Sequence, residues 1–185
     1  MKFNLKWLFI IVPVIAVVAF VIIASVINGN KKEVEIKKVN YITKDNRVTF
    51  TFNETFAKKE VGEYDLYVSK EDKQIFGAFT YNLNEYEEKS SKEILDKQIN
   101  YFLTTRENMK LFKKEIVTEF EDKKITRVEY TGKSNDSSDC IYVFSTIDFK
   151  ADPNYVIYIN EVIIKKNYEG QIGEMIDILE SAKLN

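Results

Sequence analysis

From Trp7 to Ile27 the chain runs twenty-one residues without a charge, and no other stretch limits its folding so sharply. Wound as an α-helix at about 1.5 Å per residue, the run is about 31 Å long, which matches the hydrocarbon core of a bilayer. It reads as a transmembrane helix. Lys2 and Lys6 would also suit a cleaved signal peptide, but the run exceeds the ~7–15 residues of a signal core. In addition, Ala24-Ser25-Val26-Ile27-Asn28-Gly29 has no clean small-x-small site. The only cysteine is Cys140, so no thiol lies near the run to carry a lipid.

The sequence therefore predicts a leader over 1–6, a transmembrane helix over 7–27, a polar tether over 28–40 and an α+β domain over 41–185. A leader this short need not cross the membrane. That places residues 31–185 on the extracellular side of a cell membrane in a single-pass arrangement, although Lys31, Lys32, Lys37 and Lys38 on the far flank oppose it.

Beyond the tether, two absences exclude whole classes of chemistry. The chain has no histidine and one cysteine. Ser-His-Asp and Cys-His pairs, imidazole bases and most zinc or copper sites are thereby removed, and no disulfide framework can form. Two of the 27 basic residues and none of the 29 acidic ones lie before position 30, which leaves the remainder at a net charge of −4. A nucleic-acid partner normally requires a basic footprint, so none is expected.

Periodicity lays out the domain. Val48-Thr49-Phe50-Thr51-Phe52 alternates with period two and reads as a strand. Glu63 to Lys70 and Gln74 to Asn82 read as a hairpin about the turn Lys70-Glu71-Asp72-Lys73. Ser90, three residues before Glu93, forms a capping-box pattern. Leu95, Ile99, Phe102 and Leu103 follow it on one helical face. Four strands come next, over Lys110 to Glu121, Lys123 to Gly132, Cys140 to Lys150 and Asn154 to Lys165. A last helix from Glu169 to Lys183 carries the stripe Ile172, Met175, Ile176 and Leu179, and its closing residues tie down the C-terminus. Short turns force antiparallel pairing, so the expected fold class is α+β, a single antiparallel sheet with two helices packed on it.

This arrangement resembles the PsbP/DcrB-like fold family. The residues that carry the resemblance are Tyr64-Asp65-Leu66-Tyr67-Val68 leading into Phe76-Gly77-Ala78-Phe79, the helix with Leu95 and Phe102, Arg127-Val128-Glu129-Tyr130-Thr131-Gly132, and Ile178-Leu179-Glu180-Ser181-Ala182-Lys183. The resemblance implies a layered sandwich over roughly residues 45–185. It also implies a mostly non-enzymatic role in assembly, binding or accessory tasks, as in photosystem subunits and envelope lipoproteins. The chain departs from the lipoprotein members in lacking an anchoring cysteine, and no binding residue of the family carries over.

The candidate chemical sites each have a plainer reading. Glu169-Gly170-Gln171-Ile172-Gly173 lacks a third glycine and a Lys-Ser/Thr pair, and reads as a turn and helix cap. Asn135-Asp136-Ser137-Ser138-Asp139 gathers oxygen ligands but lacks a glycine turn and a closing glutamate, and reads as a solvated loop. Glu85, Glu87 and Glu88, like Glu119, Glu121 and Asp122, sit at turns, where a carboxylate has no cause to hold a raised pKa. Cys140 opens an apolar strand and reads as a structural thiol. Asn53-Glu54-Thr55 and Asn135-Asp136-Ser137 match the glycosylation pattern, which has meaning only where secreted proteins are glycosylated. Most of the tyrosines and phenylalanines fall at strand spacing and read as core.

The expectation is a non-catalytic, membrane-anchored accessory domain with no catalytic, cofactor or metal residue and no cofactor. It would act through an unknown protein or envelope partner, with the membrane engaged by residues 7–27. The alternatives are a subunit of a secretion or conjugation machine and, further off, a carboxylate-dependent envelope hydrolase.

Overall fold

The computed structural model describes residues 36–71 and 74–185. In chain order these form β1 (Lys38–Ile42), β2 (Val48–Asn53), β3 (Ala57–Lys58), β4 (Leu66–Lys70), β5 (Gln74–Asn82), α1 (Ser91–Thr105), β6 (Lys110–Glu119), β7 (Lys123–Lys133), β8 (Asp139–Phe149), β9 (Asp152–Ile164), a 3-10 turn (Lys165–Asn167), α2 (Tyr168–Glu180) and β10 (Lys183–Leu184).

The single sheet expected from the sequence is corrected to two antiparallel sheets. One has seven strands in the order β3-β4-β5-β9-β8-β7-β6, and the other three in the order β1-β2-β10. Two things separate them. β2 pairs on one side with β1 and on the other with the two residues that follow α2, Lys183 opposite Thr49 and Leu184 opposite Val48. Its inward residues Phe50 and Phe52 then meet Phe76 of the larger sheet ring to ring, each at 5.2 Å between centroids. The small sheet is thus a layer packed face to face rather than an extension of the large one. No signal in the sequence distinguishes a two-residue strand after a helix from a frayed C-terminus.

β8 and β9 lie at the centre of the large sheet with both faces covered, which is why they read as nearly unbroken apolar runs. Ile141, Val143 and Ile147 of β8 and Ile157, Ile159 and Ile163 of β9 belong to one core, shared with β2, β4, β5 and α2. The intervening Cys140, Tyr142, Phe144, Val156 and Tyr158 belong to a second core under α1. The two helices therefore cover opposite faces.

α1 begins where expected. Ser90 Oγ accepts from the Glu93 amide at 3.2 Å, which satisfies one of the donors a helix start leaves open, and Glu93 Oε2 reaches back to accept from the Lys89 amide, just before the cap, at 2.7 Å. Its buried face is Ser91, Ile94, Leu95 and Ile99. Phe102 is half-buried, and Leu103, placed in the core by the sequence, is 40% exposed. α2 starts one residue earlier than expected, at Tyr168, and ends at Glu180; Ile178 is buried in it while Ile172 and Ile176 are half-buried.

The predicted transmembrane helix over 7–27, its leader and most of the tether lie outside the described residues. Among the described residues no helix is long and apolar enough to cross a membrane. The α+β fold class accordingly stands as two sheets and two helices.

Edge strand β6 is exposed along all ten of its residues. Its pairing with β7 is broken by register shifts between Leu111 and Lys113 and between Lys113 and Ile116. Bulges of this kind bend an edge and hinder its use as a template by another strand.

Candidate functional site

α1 packs on β8 and β9 and leaves the neighbouring face of β5 uncovered. The gap is a cleft of about 800 Å³. β5 contributes Phe79, Thr80 and Tyr81, β9 contributes Tyr158 and Asn160, and α1 contributes Lys97, Gln98, Tyr101 and Phe102. Arg106 follows the helix, Tyr86 precedes it, and Glu63, Tyr64 and Asp65 come from the loop before β4. Strand alternation explains the set. Gly77, Phe79 and Tyr81 point to the side opposite Phe76 and Ala78, so one strand supplies the core on one face and the cleft on the other.

One wall rests on a single absent side chain. A Cβ at Gly77 would lie 2.3 Å from Cε1 of Tyr64 and 2.7 Å from its Cδ1. The Tyr64 ring can lie over the strand because residue 77 is glycine. From there it meets Phe79 at 4.4 Å and Tyr67 at 5.3 Å between centroids, and Phe79 in turn stacks on Tyr158 at 6.1 Å. Gly77→Val is therefore expected to expel the Tyr64 ring and to destabilise the domain by about 1–3 kcal/mol, the usual cost of overpacking. Thermal denaturation together with the Tyr64 ring resonances checks this, and an unchanged melting temperature with an unmoved ring would refute it.

The second wall is made by Tyr81 and Tyr86, whose rings are 4.9 Å apart, with Gln98 Nε2 donating to the Tyr81 hydroxyl at 3.0 Å. Burial pushes the phenols of Tyr64 and Tyr81 up; Arg106 and Asn160 oppose the rise at Tyr64, and Gln98 opposes it at Tyr81. At the mouth Tyr86 and Tyr101 are 43% and 60% exposed. Arg106 lies over the Phe102 ring at 5.9 Å and donates to Asn135 Oδ1. Lys97 donates to Glu88.

The floor carries polar atoms without partners. The Tyr158 hydroxyl and Asn160 Oδ1 are buried and form no hydrogen bond. Burial, then Tyr81 and Tyr64, hold the Tyr158 phenol well above the ordinary tyrosine range, so it stays protonated.

The sites flagged by the sequence lie elsewhere. The Glu169 to Gly173 segment is the start of α2 rather than a loop. In the Asn135 to Asp139 loop, Asp136 Oδ1 accepts from the Ser138 amide at 3.1 Å and from the Ser134 hydroxyl, while Asp139 pairs with Lys133 at 2.8 Å. These oxygens are already engaged in closing the turn. Cys140 is buried, and burial pushes its thiol up. Among the described residues no three His, Cys, Asp or Glu side chains converge to hold a metal ion, and no catalytic cysteine motif is present.

The acidic residues singled out by the sequence sit at turns, but the structure also buries two others, Glu129 and Glu161, fully in the sheet. They flank Val143 on neighbouring strands, on the face under α2 and opposite the cleft. Glu129 Oε2 accepts from the Tyr168 hydroxyl at 2.5 Å, and Lys113 Nζ donates to the same hydroxyl at 2.5 Å. Arg127 Nε lies 3.5 Å from Glu129 Oε1. Neither carboxyl oxygen of Glu161 has a hydrogen-bond partner, and burial, with Arg127 opposing and Glu129 adding, holds its pKa well above the carboxylate range. This is a core network rather than an acid pair across a cleft, which glycosidase-type chemistry needs.

No protein-family model and no curated protein matches the sequence. Solved structures do match. The cyanobacterial PsbP (CyanoP) of Synechocystis sp. PCC 6803 superposes with a TM-score of 0.61 at 8% identity, over 83% of this chain and 96% of that one. LpqN of Mycobacterium tuberculosis, described as involved in cell envelope biogenesis, gives 0.56 at 9% identity, over 88% and 96%. The Ran-binding protein Mog1p of Saccharomyces cerevisiae matches more loosely, at 0.49 and 13% identity over 81% and 96%. The expected single-pass placement in a cell membrane, with residues 31–185 extracellular, is not retained. The segment that would span lies outside the described residues, no described helix can span, and the matching folds are those of PsbP and LpqN. The domain has the PsbP-like fold that the resemblance implied.

Proposed function

We propose that this protein is a non-catalytic accessory domain that recognises a protein or cell-envelope partner through the aromatic cleft between α1 and β5. The observation that carries the reading is the cleft itself, concave, about 800 Å³ in volume, walled by tyrosine and phenylalanine rings and floored by unpartnered polar atoms. Concave aromatic surfaces with a few convergent polar groups are the usual form of a binding site. Rigid rings bury much area at little entropic cost. The side chains that line it include no imidazole or thiol to activate a nucleophile. The fold shared with LpqN, a protein described as involved in cell envelope biogenesis, supports an envelope setting.

The test is affinity capture from cell membranes with the full chain, comparing wild type with Tyr86→Ala/Tyr101→Ala. Both rings are exposed at the mouth, so their loss leaves the core intact. At least one component captured by the wild type should be lost with the double variant and kept with Leu111→Ala on β6. An identical set of captured components from all three chains would refute the assignment of the cleft.

A further inference from the structure

Resting on the cleft as the binding site, we propose that its occupant is a basic segment of a partner protein, which places an arginine or lysine side chain among the tyrosines. Three observations converge on positive charge. The floor has unmet capacity to accept: Asn160 Oδ1 can only accept a hydrogen bond, and the unpartnered hydroxyl of Tyr158, two residues back on β9, can do so. Ammonium and guanidinium groups only donate, so they suit both atoms as acceptors; a carboxylate or phosphate could accept from the Tyr158 hydroxyl but would leave Asn160 Oδ1 facing a like dipole. The walls present ring faces, which carry the negative lobe of the aromatic quadrupole and attract cations.

The third observation is the ground next to the cleft. A shallow depression lined by Glu87, Glu88, Glu93, Asp96, Lys97 and Asn100 adjoins it; Glu88 is paired with Lys97 and Asp96 with Lys92, which leaves Glu87 and Glu93 without an ion-pair partner among the described residues. Lys97 lines both hollows and is held there by Glu88. The junction thus already stabilises one cation of the chain's own. Arg106, over the Phe102 ring, is a second internal example of a cation against an aromatic face; it donates to the neutral Asn135 Oδ1 and keeps its charge. Flanking positive charges of a bound segment would lie over the depression, while one long side chain enters between the rings.

The full chain should be titrated with fluorescein-labelled hexa-arginine and hexa-glutamate and followed by anisotropy. Variants are Tyr86→Ala/Tyr101→Ala, Glu87→Gln/Asp96→Asn and Tyr158→Phe, each checked for an unchanged circular dichroism spectrum. Hexa-arginine should bind, and tenfold or more weaker to each of the two double variants. Tyr158→Phe keeps the ring and loses the hydroxyl, and should weaken it several-fold. Raising the salt concentration should weaken binding further, while hexa-glutamate should not bind. Absence of hexa-arginine binding, or binding that the ring variants leave unchanged, overturns the basic occupant. Hexa-glutamate binding that is lost in Tyr86→Ala/Tyr101→Ala also overturns it, yet leaves the cleft as the binding site. The membrane capture tests, independently of the occupant's charge, whether the cleft is that site.

Discussion

Phe52→Ala should lower the stability of the domain by about 3–5 kcal/mol, the range for removing a buried aromatic ring, out of a total of about 5–15 kcal/mol. Phe52 is fully buried and, with Phe50, is one of the two β2 rings through which the sheets meet: it packs against Phe76 of the large sheet, Phe56 and Tyr41 at 5.2, 5.5 and 5.5 Å, with Phe50 beside it at 6.4 Å. Its loss opens a cavity that β2 cannot collapse into, because β1 and β10 hold that strand from both sides. Urea denaturation measures the effect. A loss below about 1 kcal/mol would mean that the small sheet is held by its edges rather than by this cluster of rings.

Glu161→Gln is expected to act in the opposite direction and raise stability at neutral pH. The folded protein holds a proton on Glu161 that the unfolded chain has released, because burial raises the folded pKa well above the unfolded value of about 4.5. Folding must then take up a proton at neutral pH, at a cost. Stability contributed at this position is present in full below the unfolded pKa, declines as pH rises towards the folded pKa and levels off above it. Glutamine preserves the shape and removes the titration. The wild type should therefore lose melting temperature relative to Glu161→Gln as pH is raised from about 4.5, and parallel profiles would show that Arg127 keeps the carboxylate charged in the fold.

Much of this architecture is legible in the sequence where one residue pattern has one physical reading. The capping box at Ser90, the hairpin of β4 and β5 and the long apolar strands β8 and β9 belong to this class, since hydrogen bonding and burial act within a few residues. The features that escape it depend on distant partners. β10 is a strand only because β2 offers it an edge. Tyr64 and Tyr81 read as core because period two reports that a side chain points one way, without saying whether anything covers it there. The dependence of Tyr64 on Gly77 links two positions thirteen apart through an absence. Glu161 could have been found: one glutamate inside Val156-Ile157-Tyr158-Ile159-Asn160-Glu161-Val162-Ile163-Ile164, a run apolar on both faces, has nowhere solvated to point.

The claim that the aromatic cleft is where a partner binds is tested most directly by nuclear magnetic resonance of the full chain with carbon-13-labelled tyrosine rings. The tyrosines report on both faces of the large sheet at once, because Tyr64, Tyr81, Tyr86 and Tyr101 line the cleft while Tyr41, Tyr155 and Tyr168 lie on the opposite side. On addition of a component captured from membranes, the first four should shift or broaden and the last three should stay in place. Changes confined to Tyr41, Tyr155 and Tyr168, with the cleft rings unmoved, would contradict the account.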